Sequence, residues 1–138
     1  MSETPRDAGQ VLQPAGWARP SGYSHGLSVS GRQVVLAGQV GWNPVTAMIE
    51  TDDFAAQVRQ ALSNIVVLLA EAGATPHNLV RLTWFITDRK EYVAALGPLG
   101  RAYRETIGAH YPAMSVVVVA GLLDARAKVE IEATAVVP

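Results

Sequence analysis

The amino-acid sequence predicts one α+β domain, and three features of its hydrophobic pattern carry this prediction. Residues 51–73 repeat apolar side chains every three or four positions, which is typical of an amphipathic helix. Residues 79–87 and 128–137 alternate apolar and polar side chains, as half-buried strands do. Residues 115–120 form a continuous apolar run, which is typical of a strand buried on both faces.

The composition fits one globular domain and excludes several kinds of chemistry. The chain has 138 residues, of which 49% are hydrophobic and 17% are charged, and this balance suits a single folded core. Because the chain has no cysteine, it cannot form disulfides, thiolate metal sites or a cysteine nucleophile.

Charge and hydropathy favour neither a nucleic-acid partner nor a membrane partner. The net charge is -1, and Lys and Arg do not cluster, whereas nucleic-acid binders usually carry a basic stripe. No apolar run approaches the ~20 residues that span a bilayer. The first residues lack the apolar core of a signal peptide, so we expect a cytoplasmic protein. We also expect a flexible segment over residues 1–18, followed by a single domain over residues 19–138.

A hairpin and a loop are predicted ahead of the long helix. Residues 27–30 and 33–37 have the composition of two short strands on either side of Gly31, whose positive φ would close a tight turn. Residues 38–44 contain two glycines and an Asn-Pro step, which predict a loop anchored by Trp42.

The helix predicted over residues 51–73 has signals at both of its ends. Asp52 and Asp53 place carboxylates where the positive end of the helix dipole favours them, and Gly73 is suited to the position just after the last turn. The expected buried stripe consists of Phe54, Val58, Leu62, Ile65, Leu69 and Ala72.

A second helical stretch follows the strand at 79–87, in which Phe85 is the one apolar side chain on the polar face. Asp88 and Glu91 resemble a capping box that opens this stretch. Pro98 inside a continuous helix would cost about 3 kcal/mol, so we expect two short helices with Pro98 in the first turn of the second.

The predicted order of elements is β-β-α-β-α-β-β. Two helical regions can cover only one face of the resulting sheet, so its other face must meet solvent or another subunit. The valines of residues 115–120 favour a second subunit, because a strand this apolar is poorly suited to water.

Taken one at a time, the polar residues fit structural roles at least as well as catalytic ones. Ser24 and His25 are adjacent, so their side chains point apart and do not form a triad; a loop packed by Tyr23 is the simpler reading. His77 and His110 lack metal-ligand spacing, and no metal site is predicted.

Glu130 and Glu132 are two positions apart on a predicted strand and therefore share a face. A carboxylate there can perform acid-base chemistry if it is desolvated, whereas a solvated strand face is the commoner role of such a pair.

A set of short motifs occurs along the chain in a fixed order. They are Gly22-Tyr23-Ser24, Gly38-Gln39, Asn43-Pro44, Gln57-x-x-Gln60-Ala61-Leu62-x-Asn64, Glu71-Ala72-Gly73, Val80-Arg81-x-Thr83, Thr87-Asp88, Tyr111-Pro112-Ala113 and Val129-Glu130-Ile131-Glu132-Ala133. This ordered set resembles the RidA/YjgF family of imine and enamine deaminases, and the resemblance covers residues 19–138.

The resemblance implies a chorismate-mutase-like α+β fold, in which a mixed sheet carries two main helices on one face. It also implies a homotrimer with small-molecule clefts between neighbouring subunits, and a hydrolysis that needs no cofactor. By the same resemblance, Glu130 would position or activate the attacking water, Tyr23 would line the cleft, and Gly38 would let the ligand approach the backbone.

Two positions depart from the family pattern. The family's deaminases place an arginine directly after Pro-Ala, where it clamps the substrate carboxylate, and this chain has Met114 there. They also commonly place an asparagine near the cleft where Leu96 aligns. Methionine cannot form the planar, charge-assisted pair that arginine forms with a carboxylate. We therefore expect a cleft lined by Met114, Trp42 or Tyr111 that favours a neutral, less polar ligand. His25 and Arg126 are the candidates for a replacement charge.

Two functions from different classes remain open on the sequence. The first is a divergent RidA-like hydrolase or deaminase that uses Glu130 and water on a substrate lacking the usual carboxylate. The second is a non-catalytic trimer that binds a small molecule or a protein in the same clefts. The presence of Glu130 favours the enzyme, and Met114 weakens that interpretation.

Overall fold

The computed structural model describes residues 9–138 and contains a central sheet, two small sheets and three α-helices. A short 3-10 turn at Pro76–Asn78 precedes the sixth strand. The elements in chain order are β1 (Gln10–Val11), β2 (Leu27–Ser28), β3 (Arg32–Val40), β4 (Trp42–Asn43), β5 (Met48–Ile49), α1 (Phe54–Glu71), β6 (Leu79–Ile86), α2 (Arg89–Ala94), α3 (Leu96–Thr106), β7 (Ala113–Val118) and β8 (Val129–Val137).

The central sheet is mixed and has the strand order β3-β8-β6-β7. Strand β8 pairs antiparallel with both β3 and β6, whereas β7 pairs parallel with β6. The parallel pair needs a crossover, and α2 and α3 supply it. The predicted α+β class, with helices on one face of a mixed sheet, is confirmed.

Helix α1 covers the sheet through the predicted stripe. Five of its six predicted members are buried, and they pack with side chains of β6 and β8 into the main core. The side chain of Asp53 caps the helix by accepting a 2.9 Å hydrogen bond from the backbone N–H of Ala56. Gly73 follows the helix with a φ of 69°, as its position predicted. Both predicted ends are confirmed.

The predicted break in the second helical stretch is confirmed. The side chain of Asp88 accepts a 3.0 Å hydrogen bond from the N–H of Glu91 and starts α2. The chain then breaks at Ala95, and Pro98 is the third residue of α3. In the first turn of a helix, proline breaks no hydrogen bond because that N–H has no partner within the helix.

The predicted hairpin around Gly31 is wrong. Leu27–Ser28 pairs antiparallel with Gln10–Val11, whereas β3 pairs with β8. Gly31 does have a positive φ of 148°, but a Cβ atom there would lie 2.3 Å from the carbonyl oxygen of Val137. The glycine is therefore explained by a close approach to the end of β8, not by a turn between neighbouring strands.

The predicted loop over residues 38–44 is also largely wrong, because β3 runs on to Val40 and Trp42–Asn43 forms β4. Glycine does not end β3. Instead, the pairing register shifts between Leu36 and Gln39, because β3 advances by three residues there while β8 advances by two. Such a β-bulge places an extra residue in one strand and re-aims its side chains.

Strand β7 lies at the edge of the central sheet and is partly exposed in the single chain, so its burial on both faces by a second subunit stays a prediction. Val116, Val117 and Val118 are 39%, 40% and 55% exposed. An apolar edge strand with this exposure is a surface that another protein chain can cover.

Within residues 9–138, no helix combines the length and apolar character needed to cross a membrane. The predicted flexible segment of residues 1–18 lies partly outside the described residues, since the description begins at residue 9. Its later part contains β1.

Candidate functional site

The largest of the clefts described within residues 9–138 lies beside β7, on the face of the sheet that carries the helices. Its volume is about 560 Å³, within the roughly 300–1,000 Å³ that small-molecule sites usually occupy. Its walls come from the segment before β2, from β6 and β7, and from the helices between those strands. They consist of Ser21, Gly22, Tyr23, Trp84, Tyr92, Leu96, Leu99, Gly100, Tyr103, Arg104, Tyr111, Met114 and Val116.

Ser24 fixes Tyr23 at the mouth of this cleft. Its hydroxyl donates a 2.6 Å hydrogen bond to the carbonyl of Tyr111, and its N–H donates a 3.0 Å bond to the carbonyl of Pro112. A parallel bridge joins Ser24 to Ala113. The Gly22-Tyr23-Ser24 and Tyr111-Pro112-Ala113 motifs, far apart in sequence, therefore form one wall.

A stacked pair of aromatic rings forms another wall. The rings of Tyr103 and Tyr111 lie 5.4 Å apart and nearly parallel, and the hydroxyl of Tyr103 donates a 2.6 Å hydrogen bond to the carbonyl of His110. Burial, followed by the nearby Tyr111, raises the pKa of Tyr103 far above its usual range. Burial also raises the pKa of Tyr92. Both phenols are therefore uncharged at neutral pH.

Sequence reasoning missed several lining residues, and the most important of them is Arg104, the only charged side chain among the described residues that line the cleft. It is exposed on α3 and follows Leu96 and Gly100 at spacings of four. Residues spaced by four lie on one side of a helix, so this spacing was the available signal. A Cβ atom on Gly100 would lie 3.3 Å from Nη1 of Arg104, so the guanidinium lies over this glycine.

Glu130 faces away from this cleft within its own chain. Met114 pairs with Leu82, which pairs with Ala133, and the last two are buried beneath the helices. Glu130 is three residues from Ala133 and pairs with Phe85, so it points to the opposite face of the sheet. Within one chain, Met114 and Glu130 therefore lie on opposite faces of the central sheet.

Gly38 lies next to the Glu130 side chain on that opposite face. A Cβ atom added to Gly38 would lie 2.8 Å from Cγ and Cδ of Glu130 and 2.9 Å from its Oε2. Such distances are too short for real contacts, so the bare glycine makes room for the carboxylate. The bulge in β3 produces this approach.

Three other sequence candidates lie elsewhere. Trp42 lines a second, smaller cleft with Gln39 and Asn64. Arg126 forms an ion pair with Asp52 at 3.0 Å and also donates to the carbonyl of Ile49. The ring of His25 packs edge-on against Tyr23 at 5.6 Å and is not among the residues lining the largest cleft.

Across residues 9–138, no group of three or more His, Cys, Asp or Glu side chains is placed to hold a metal ion. His77 and His110 do approach each other, with ring centroids 5.6 Å apart. The Nε2 atom of His110 also lies 2.7 Å from the carbonyl oxygen of Leu79. This contact ties the His110 ring to β6.

The fold and the site define the class: an α+β protein with helices on one face of a mixed sheet, a cleft beside the edge strand and a half-buried glutamate on the opposite face. Comparison with known proteins gives the family. The family described as endoribonuclease L-PSP matches residues 17–137. The chain belongs to this family, which is also the RidA/YjgF family of the sequence resemblance.

Individual relatives agree with this assignment. A RutC family protein of Haemophilus influenzae is 35% identical over 106 residues, covering 77% of this chain and 80% of the relative. The 2-iminobutanoate/2-iminopropanoate deaminase of Escherichia coli K12 is 34% identical over 114 residues, covering 83% and 86%. The structure of YyfB, a Rid family protein of Yersinia pestis, matches with a TM-score of 0.81 and 34% identity, covering 94% and 98%.

Proposed function

We propose that this chain works in the cytoplasm as a homotrimer that hydrolyses a small imine or enamine in clefts between neighbouring subunits. The observation that carries the proposal is the separation of Glu130 from the cleft lined by Tyr23 and Met114. Because the two lie on opposite faces of one sheet, a second chain must bring its own Glu130 to the cleft for them to act together.

The exposed apolar surface of the sheet supports such an assembly. On the face that carries Glu130, Val35 is 73% exposed and Val117 is 40% exposed. The neighbouring Val118, at the end of the edge strand, is 55% exposed. Burying this surface against another copy removes apolar area from water at about 25 cal/mol per Å².

The chemistry that we propose is the addition of water to a C=N bond. Glu130 accepts a proton from the water as its oxygen attacks the imine carbon, and the proton then passes to the nitrogen. Collapse of this intermediate breaks the C–N bond and releases ammonia and a carbonyl product. An enamine first becomes an imine by gaining a proton on carbon and losing one from nitrogen. General acid-base catalysis of this kind contributes about a hundred- to ten-thousandfold in rate.

The relatives support imines as the substrate class, since the Escherichia coli relative is named a 2-iminobutanoate/2-iminopropanoate deaminase. Hydrolysis of RNA has less support in this chain. Its net charge is -1, and its largest cleft has a single charged lining residue among those described. A nucleic-acid site normally needs several cations along a phosphate backbone.

The second candidate is a non-catalytic trimer that binds a small molecule in the same clefts, and Met114 is the observation that favours it. A protein that has lost the arginine of the family's deaminases can keep the cleft without keeping the reaction. The two candidates differ in one result: the enzyme accelerates imine decay in proportion to its concentration, whereas the binder does not.

Two measurements test the proposal. Light scattering on the purified protein should give three times the 14.7 kDa mass of one chain. Imines generated by a pyridoxal-phosphate lyase or an amino-acid oxidase should decay faster, with release of ammonia, when the protein is added. A clean monomer at micromolar concentration would exclude both the assembly and the shared site. A trimer without turnover on any imine would leave the binding function.

A further inference from the structure

The cation in the cleft has no carboxylate partner among the described residues. Three ion pairs occur there, Arg59 with Glu105, Arg126 with Asp52 and Lys128 with Glu91, and none includes Arg104. The described lining of the cleft also contains no Asp, Glu or Lys. Arg104 therefore gives the cleft a positive charge that no described lining residue of the same chain neutralises.

The surroundings of Arg104 strengthen its attraction for an anion. Most of the other residues that line the cleft are aromatic or aliphatic, and the tyrosines with raised pKa values are uncharged. Coulomb attraction is stronger beside a low-dielectric wall than in open water. A guanidinium also presents parallel N–H donors that match the two oxygens of a carboxylate.

We propose that Arg104 binds the carboxylate of the ligand and takes over the role lost at position 114. Met114 lies on β7 and Arg104 on α3, so the negative end of the ligand points to the helical wall. This inference rests on the proposed function for the identity of the reaction. The binding role itself can be measured without turnover.

The shape of the cleft specifies the rest of the ligand. The walls that this chain contributes are largely aromatic, so an aromatic or long aliphatic side chain can pack against Trp84 and the stacked pair Tyr103 and Tyr111, contacts that a three-carbon imine is too small to make. The substrate class that fits is therefore a 2-imino acid with a large apolar side chain. This replaces the neutral ligand that Met114 alone suggested.

Isothermal titration of the intact oligomer with two matched probes tests the role of Arg104. The probes are 3-phenylpropanoate and 3-phenylpropanamide, which differ in charge and have nearly the same shape. The wild type should bind the carboxylate about ten- to a hundredfold more tightly than the amide. Arg104→Gln should remove this preference and leave binding of the amide unchanged.

Arg101→Gln is the matched control, because Arg101 is an exposed arginine on the same helix and does not line the cleft. It should retain the wild-type preference. The inference is overturned if Arg104→Gln keeps the preference for the carboxylate, or if the wild type shows none. Arg104-dependent binding without turnover of any imine would contradict the proposed reaction and leave the role of Arg104 standing.

Discussion

Gly38 and Glu130 are neighbours across the β3–β8 pair, and a Cβ atom on Gly38 would come within 2.8 Å of the Glu130 side chain. No other residue type leaves this space open. Because β3 bulges at this point, the carboxylate of Glu130 lies against bare backbone. The glycine therefore sets the position of the group that we propose as the acid-base catalyst.

Gly38→Ala should displace the Glu130 carboxylate and lower activity more than stability. We expect turnover to fall about ten- to a hundredfold, since small misplacements of catalytic groups have effects of that size. The free energy of unfolding should change by less than about 1 kcal/mol, because the contacted side chain can rotate away. Gly97→Ala is the control, as its new Cβ would have only Arg101 nearby, at 3.8 Å. Unchanged turnover in Gly38→Ala would contradict the positioning role.

Glu130→Gln should abolish most turnover and leave the fold intact. No ion pair among residues 9–138 includes Glu130, so the change should alter the free energy of unfolding by no more than about 0.5 kcal/mol. Steady-state kinetics and urea unfolding measure the two effects. Glu132→Gln, two residues along on the same face, should affect neither. A much lower melting temperature for Glu130→Gln would identify a structural residue and remove the catalytic assignment.

Met114→Arg should improve the hydrolysis of small amino-acid imines that the wild type handles poorly. Arg104 lies on α3 and Met114 on β7, so we expect a small imine held beside Met114 to leave its carboxylate without a paired cation, and Glu130 from a neighbour adds repulsion. The assay is the decay of 2-aminoacrylate generated by a pyridoxal-phosphate lyase. Met48→Arg, at an exposed methionine outside the cleft, is the matched control. Rapid decay with the wild type would mean that an existing cation already serves small substrates.

Alkaline pH should destabilise the protein through Tyr103. Its folded pKa is raised by burial, so above about pH 10 the unfolded chain loses this proton first. The stabilisation that comes from the raised pKa of Tyr103 is complete below about pH 10 and falls as pH rises further. Urea unfolding at pH 8 and pH 11 should show a smaller loss in Tyr103→Phe than in the wild type. The comparison at pH 8 corrects for the lost hydrogen bond to His110. Equal losses in both proteins would contradict this account.

Local spacing predicted the parts of the fold that depend on neighbours in sequence. The stripe from Phe54 to Leu69 and the cap at Asp53 follow from helical geometry alone, and both are present. The hairpin prediction was wrong because Gly31 is required by its close approach to Val137 at the far end of the chain. No local sequence pattern encodes such a contact. The apolar run of β7 predicted a covered strand and favoured a second subunit, and the exposure of this strand in one chain is compatible with that prediction.

For the candidate site as well, the sequence predicted individual residues but not the long-range contacts that bring them together. Tyr23 and Tyr111 were recognised from separate motifs, but their meeting depends on a hydrogen bond from Ser24 that spans the fold. The separation of Met114 from Glu130 required the register of three strands. Arg104 was within reach of sequence reasoning, because it continues the spacing of four from Leu96 through Gly100.

The central claim is that one chain supplies the cleft and its neighbour supplies Glu130, and mixing two inactive variants tests it most directly. Glu130→Gln removes the carboxylate and keeps the cleft. Gly100→Trp fills the cleft beside Arg104 and keeps the carboxylate. Random mixed trimers, purified through a different tag on each variant, contain sites made of one intact half from each parent.

We expect these mixed trimers to recover about a third of the wild-type turnover of imines, because every trimer that holds both variants has one site of its three in which both halves are intact. Each variant alone should stay inactive. If the mixed trimers form and remain as inactive as their parents, the cleft and Glu130 do not act together across subunits, and the account is contradicted.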